Sequence, residues 1–229
     1  MRILALDTSL GACSVAALEI LDGQEHVRGH AHRDISRGHA EVLMGLVSEV
    51  QVSAGFGALE SDRLAVTTGP GTFTGLRVGL AAARGFALAS GKPLVGVTSL
   101  QAIAKGATGE AETIGTVLDA KRGDLYLGLY RNDDQRTPMF APAVLPISEV
   151  ASRLTEFQES ASLQLIGTGL DVLREHGAAL PDEAAGAAQP DALNIAKLAG
   201  YITNPESAPP EPLYLRGPDA KPPSRNPLA

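Results

Sequence analysis

Two stretches of this chain contain the residue types that phosphate chemistry needs. Asp7-Thr8-Ser9 follows an apolar run and supplies a carboxylate to hold a hydrated metal ion and two hydroxyls to meet oxygens. The same three residue types also make a self-capped turn, because their side chains bond the nearby backbone. The second stretch, Gly69-Pro70-Gly71-Thr72-Phe73-Thr74-Gly75, stands between an expected strand and an expected helix. There, glycines free backbone N–H groups to face an anion at the positive helix end, and Thr72 and Thr74 can cap or donate. Its glycines are spaced G-x-G-x-x-x-G, one residue longer than the dinucleotide fingerprint, and no lysine follows as in a phosphate-binding loop. Gly91-Lys92-Pro93 does not replace that loop, since proline stands where Ser or Thr is required. Asp7, Thr8, Ser9, Gly71, Thr72 and Thr74 are thus candidates for a remnant phosphate-binding set without an intact nucleotide motif.

Hydrolytic and metal chemistry find less support. The chain has no G-x-S-x-G elbow and no H-E-x-x-H, the spacing that puts two imidazoles on one helical face. His26 and His30 stand four apart, but in an expected strand that spacing spans about 13 Å and suits no shared zinc. His32 and His39 read as isolated histidines, and Asp133-Asp134 beside Arg131 and Arg136 reads as a solvated turn. No catalytic residue and no metal ligand is assigned.

The elements that must position these residues follow from periodicity. Arg2 to Asp7, Cys13 to Ile20 and Glu25 to Arg33 are expected strands of a meander, with Asp22-Gly23 as the second turn. From His39 to Ala54, Val42, Leu43, Leu46, Val47 and Val50 recur at helical spacing. A strand over Leu64 to Thr67 leads through the glycine loop into a helix over Thr74 to Ser90, which Gly91-Lys92-Pro93 stops. In that helix Gly75, Gly79, Ala83 and Ala87 form a row of small residues beside Leu76, Leu80 and Leu88, letting another backbone come close. Pro93 to Val97 is a further strand, and Thr98-Ser99 caps a short helix. Beyond it come expected strands Thr113 to Leu118, Asp124 to Tyr130 and Leu163 to Gly167. Expected helices are Ser148 to Phe157, Leu170 to His176 and Asp191 to Ile202, with Ala184 to Ala188 a low-complexity loop.

This order predicts an α/β chain with a first lobe over 1–104, a second over 105–203 and a proline-rich, extended tail over 204–229. At 229 residues and 44% hydrophobic the chain can bury a sizeable core. A net charge of −7 argues against a chain that grips phosphate backbones alone, so any RNA must be held by another subunit. The single cysteine, Cys13, excludes an intramolecular disulfide, and the start MRILALDTS lacks the long apolar core of a signal peptide. No apolar run approaches membrane-spanning length. A soluble, cytoplasmic protein is the expectation.

The run Gly69-Pro70-Gly71-Thr72-Phe73-Thr74-Gly75-Leu76-Arg77-Val78-Gly79, continuing through Lys92-Pro93-Leu94-Val95-Gly96-Val97-Thr98-Ser99-Leu100, resembles the hallmark segment of the TsaB (YeaZ) family. Leu4-Ala5-Leu6-Asp7-Thr8-Ser9, Asp119-Ala120-Lys121-Arg122-Gly123-Asp124-Leu125-Tyr126 and Pro212-Leu213-Tyr214-Leu215-Arg216 agree with it. The resemblance implies a two-lobed actin-like, Hsp70-like and hexokinase-like ATPase fold with ribonuclease H-like lobes. It also implies a non-catalytic subunit that binds and stabilises TsaD, helps dock the ATPase TsaE, and supports formation of threonylcarbamoyladenosine in tRNA. No cofactor is implied. TsaD carries a His-x-x-x-His metal pair whose positions fall here on Ser99 and Ile103, and isoleucine cannot bind a metal. By the same resemblance the partner face lies on the helices at His39 to Ala54 and Thr74 to Ser90. Leu43, Leu46, Leu76 and Leu80 are its expected apolar anchors, Arg77 and Arg84 its polar contacts, and the same surface would form a homodimer without TsaD. The rival readings are an ATPase or small-molecule kinase using Asp7 and the glycine loop, and a peptidase, for which no nucleophile or metal ligand is found.

Overall fold

The computed structural model describes residues 1–203, 205 and 208–216. In chain order its elements are β1 (Arg2–Asp7), β2 (Ala12–Leu21), β3 (Gln24–Asp34), α1 (His39–Ala54), β4 (Arg63–Gly69), α2 (Phe73–Ser90), β5 (Leu94–Thr98) and α3 (Ser99–Gly106). Then follow β6 (Thr113–Asp119), β7 (Asp124–Arg131), β8 (Pro138–Pro146), α4 (Ile147–Gln158), β9 (Leu163–Ile166), α5 (Leu170–Glu175) and α6 (Ala192–Gly200).

The first sheet has five strands in the order β3-β2-β1-β4-β5. β2 runs antiparallel to both neighbours, whereas β1, β4 and β5 are parallel. Helices cover both faces. Leu4, Leu6, Val15, Ala17, Leu64 and Val66 on one face meet Leu43, Leu46, Val47 and Val50 of α1 and Leu80 and Ala83 of α2. Ile3, Ala5, Ala16, Leu18, Ala65, Val95 and Val97 on the other meet Ile195, Ala196, Leu198 and Ala199 of α6. Because alternate residues along β1 and β2 are apolar on both sides, these strands can only lie between two helical layers.

The second sheet, β8-β7-β6-β9, carries α4 and α5 on one face. Its other face meets Leu100, Ile103 and Ala104 of α3. α3 also gives Ala102 to the first sheet's core, so this helix is wedged between the two sheets.

Two features differ from the expectation. The helix expected over Asp191 to Ile202 packs on the first sheet, so the last helix of the chain groups with the first lobe by packing although sequence order groups it with the second. The tie is polar as well: Ser14 Oγ accepts from the Ala192 amide at 2.9 Å and Asp191 caps the helix at the Leu193 amide. Second, Pro138–Pro146 forms β8, an edge strand that lies outside the expected strands. Its prolines at 138, 142 and 146 suit an edge and a bulge, where a missing N–H breaks no inner ladder, and the pairing with β7 shifts register near Leu129. The expected loop at Ala184 to Ala188 is tied down, since the Ala184 amide donates to Leu165 O and Thr108 bridges Ala185. Of the tail expected over 204–229, residues 204, 206, 207 and 217–229 lie outside the described residues.

No helix among the described residues is long and apolar enough to cross a membrane.

Candidate functional site

β1 ends where α2 begins, which brings Asp7-Thr8-Ser9 against the glycine loop. The contact joins backbone to backbone and one threonine hydroxyl to backbone. The Thr72 amide donates to Ser9 O at 2.8 Å, and Thr8 Oγ1 donates to Gly75 O at 2.6 Å. Thr72 caps α2 by accepting from the Gly75 amide at 3.1 Å. A Cβ added at Gly71 would stand 2.4 Å from Ser9 O, and one added at Gly75 only 2.1 Å from Thr8 O. These glycines are therefore required by the approach of β1's turn, and the Thr72 and Gly75 amides are already engaged by Ser9 O and Thr72 Oγ1. Of the six candidate phosphate residues the structure joins five in direct contact, while Thr74 is exposed on the first turn of α2.

Asp7 lies at the bottom of this arrangement, fully buried. Its Oδ1 accepts from the Ser9 amide at 3.1 Å, from Ser9 Oγ at 2.7 Å and from Thr67 Oγ1. Its Oδ2 has no hydrogen-bond partner among the described residues. Burial pushes the carboxyl up to about 6, against the lowering effect of the Thr67 and Ser9 hydrogen bonds, because desolvation disfavours the charged form. Ser99 donates from Oγ to Ser9 Oγ at 3.1 Å, and Ile103, four residues on, is buried beside Leu100, Ile114 and Tyr130. Among the described residues no group of three or more His, Cys, Asp or Glu side chains could hold a metal ion.

α1 and α2 lie side by side on the outer face of the first sheet, and here the structure corrects the expected anchors. Leu43, Leu46 and Leu76 are 2% exposed and Leu80 is 3% exposed. Leu43, Leu46 and Leu80 fill the core against β1, β2 and β4, and Leu76 packs against the glycine loop, so none is offered to a partner. The periodicity identified the apolar stripe correctly, but in a helix lying on a sheet that stripe faces inward.

The outward stripe consists of other residues. On α1 it runs through Met44, Gly45, Ser48 and Val52, and on α2 through Arg77, Ala81, Gly85 and Leu88. Val52 is 81% exposed and Leu88 is 88% exposed. Gly45 and Gly85 sit in helix interiors with no described residue within 4 Å of the position a Cβ would take. Glycine weakens a helix interior by about 1 kcal/mol relative to alanine, and no neighbour among the described residues requires either one. An open groove of about 650 Å³ adjoins this face, lined by Val52, Phe56, Leu59, Phe86 and Ala89. Arg77 and Arg84, the expected polar contacts, are exposed, and both touch the chain's own C-terminal segment: Arg77 Nε donates to Tyr214 OH at 3.2 Å and Arg84 Nη2 to Pro210 O at 2.8 Å.

A histidine cluster also escaped the sequence reading. His30 Nε2 lies 2.9 Å from Asp191 Oδ1, and His32 Nδ1 lies 3.2 Å from Asp191 Oδ2. The two-residue spacing on one strand put both rings on the same face of β3, but nothing local announces the aspartate, which comes from the start of α6. Asp191 raises the His30 pKa above the ordinary imidazole value through a hydrogen bond. His39, by contrast, bonds Leu10 O at 2.9 Å.

The family profile of TsaD, tRNA N6-adenosine threonylcarbamoyltransferase, matches residues 20–204. The tRNA threonylcarbamoyladenosine biosynthesis protein TsaB of Escherichia coli is 33% identical over 229 residues, spanning 94% of this chain and 95% of the relative. A crystal structure from Pseudomonas aeruginosa, described as an uncharacterized protein with similarity to peptidase YeaZ, superposes with a TM-score of 0.78 at 29% identity over 94% of this chain and 99% of its own. YeaZ from the same organism superposes with a TM-score of 0.73 at 30% identity, covering 87% and 91%.

Proposed function

The chain belongs to the TsaB (YeaZ) family of tRNA threonylcarbamoyladenosine biosynthesis proteins, and on that premise we propose that it is a non-catalytic subunit that binds and stabilises a TsaD-type enzyme through the outer face of α1 and α2. Family membership fits a complex with such an enzyme. The observation that carries the reading is the outward stripe: helix-interior Gly45 and Gly85 serve no contact among the described residues, and they stand beside the exposed apolar side chains Met44, Val52 and Leu88. Small residues on a helix surface admit a second helix at short interaxial distance, and the neighbouring apolar groups then leave water together. The partner's helices would form a bundle with α1 and α2. Two copies of this chain would use the same self-complementary face when the enzyme is absent.

Three features support a supporting rather than a chemical role. The Thr72 and Gly75 amides of the glycine loop are engaged within the chain, Ile103 offers no donor where the TsaD relative has a metal-binding histidine, and the net charge of −7 leaves the gripping of tRNA to another subunit. In this account the chain helps shape the docking site of the TsaE-type ATPase in a cytoplasmic complex. Its two sheets correspond to the two lobes of the actin-like and hexokinase-like fold.

One observation favours a second reading, a remnant nucleotide or cation site. Asp7 Oδ2 is buried without a partner among the described residues, which is the kind of oxygen a bound cation would take. Titration of the isolated chain with Mg-ATP tests it: measurable binding, lost in Asp7→Asn, establishes the second reading, and no heat removes it.

The first reading is tested by light scattering on a mixture with the TsaD-type enzyme of the same organism. A 1:1 complex with the wild type, lost in Leu88→Glu at unchanged melting temperature, is the expected result. A complex that tolerates the charge at Leu88 would overturn the assignment of this face.

A further inference from the structure

The C-terminal residues 208–216 cross from the first sheet to the second. At the first sheet they are held at several points. Arg84 Nη2 donates to Pro210 O at 2.8 Å, and the Leu213 amide donates to Thr68 O at 2.7 Å, at the end of β4. Tyr214 stacks on Phe73 with ring centroids 5.6 Å apart, and the Arg77 guanidinium lies 3.7 Å from the Phe73 centroid while bonding Tyr214 OH. Two residues later the segment reaches the second sheet. Arg216 Nη1 donates to Ala120 O at 2.8 Å and to Lys121 O at 3.2 Å, and Nη2 lies 3.7 Å from Asp124 Oδ2.

The target of Arg216 is the turn between β6 and β7. Lys121 and Arg122 have φ of 65° and 59° there, left-handed conformations that residues with a Cβ adopt at a cost and keep only where the surroundings over-determine them. Asp119 accepts from the Lys121 amide at 2.7 Å, and the Asp124 amide donates to Lys121 O at 3.3 Å and the Ile147 amide to Gly123 O at 3.2 Å. Arg216 adds the tie to the C-terminal segment, as a charged donor to two carbonyls of the turn. Three residues of chain from Leu213 to Arg216 reach at most about 10 Å, so seating Leu213 and Tyr214 confines the guanidinium to the neighbourhood of the turn. Elsewhere the sheets are joined through the wedged helix α3.

We propose that residues 208–216 are a latch: seated on β4 and α2, they hold the β6–β7 turn in its left-handed conformation and fix the second sheet to the first at the end of β4. The latch couples α2, through Arg77, Arg84 and Phe73, to a turn on the other sheet. It is a property of the isolated chain, so it stands or falls apart from the assignment of a partner.

Hydrogen exchange on the full chain tests this, comparing the wild type with Arg216→Ala, Leu213→Pro and Tyr214→Ala. Leu213→Pro removes the donor to Thr68, and Tyr214→Ala removes the stack on Phe73, both without touching the turn. The latch predicts that all three variants lose about tenfold or more of the protection at the amides of residues 119–124, while α1 and α6 keep theirs. Loosening by Arg216→Ala alone would mean a local contact and would overturn the latch, as would unchanged exchange in every variant. Should Leu213→Pro raise exchange in α1 and α6 as well, Tyr214→Ala decides: selective loosening of 119–124 upholds the latch, and wild-type exchange there overturns it.

Discussion

Replacing Asp7 by asparagine should remove a stability term that depends on pH in an unusual direction. The carboxyl is fully buried, three donors converge on Oδ1, and Oδ2 has none among the described residues. Burial therefore raises its pKa from 3.8 to about 6 in the folded chain. Between those values the folded chain holds a proton that the unfolded chain has released, so folding becomes less favourable as pH rises through this window and levels off above it. A difference of about two pKa units corresponds to about 2.4 kcal/mol between pH 4 and pH 7, part of the effect being already expressed at pH 4. Asparagine keeps a carbonyl oxygen for the Oδ1 donors and puts an NH₂ in place of Oδ2, at a cost that does not titrate. Urea unfolding of both proteins between pH 4 and pH 7.5 isolates the effect, because subtraction cancels the other groups. The wild type should lose about 2.4 kcal/mol relative to Asp7→Asn on going from pH 4 to pH 7. A flat difference, or one of opposite sign, would refute the claim that an uncompensated buried carboxylate sits beneath the glycine loop.

Other residues give equally direct tests. Gly75→Ala places a Cβ 2.1 Å from Thr8 O, a backbone atom that cannot move alone, and should cost about 3 kcal/mol or more in chemical denaturation. His30 gains its raised pKa from Asp191, so its contribution is fully present below the imidazole's ordinary value and is lost as pH rises through the folded value; His30→Gln should therefore destabilise more at pH 6 than at pH 8 in thermal melts. Gly85→Ala has opposite effects on folding and assembly. It should stabilise the isolated chain by about 0.5–1 kcal/mol, since its Cβ meets none of the described residues, yet weaken association with the TsaD-type enzyme in a binding titration.

The local rules of the chain were legible, and the long-range ones were not. Helix α1 spans His39–Ala54 as the spacing of Val42, Leu43, Leu46, Val47 and Val50 predicts, and Thr72 and Thr98 cap their helices as their residue types suggest. What pattern cannot specify is which surface an apolar stripe meets. Leu43, Leu46 and Leu80 face the first sheet and not a partner, and Ile195 and Leu198 of α6 meet that same sheet although the second lobe precedes them in sequence. The strand β8 was hidden by its prolines, which strand propensity penalises and an edge position tolerates. At the glycine loop the sequence showed that backbone was exposed for a close approach; only the fold shows that the approaching group is the turn of β1. Gly45 and Gly85 carried a signal of their own, helix-interior glycines without a cap, which becomes informative once the space around them is known to be open.

The central claim is that the outer face of α1 and α2 docks the catalytic relative. The measurement that tests it most directly is the dissociation constant of the chain with the TsaD-type enzyme for the wild type, Val52→Glu, Leu88→Glu and, as a control on the far side of the second sheet, Ser152→Glu. Burying a carboxylate within a helical interface without a partner should weaken binding by about a hundredfold or more for Val52→Glu and Leu88→Glu, while Ser152→Glu binds as the wild type does. Equal affinities for all four proteins would contradict the account and place the interface elsewhere.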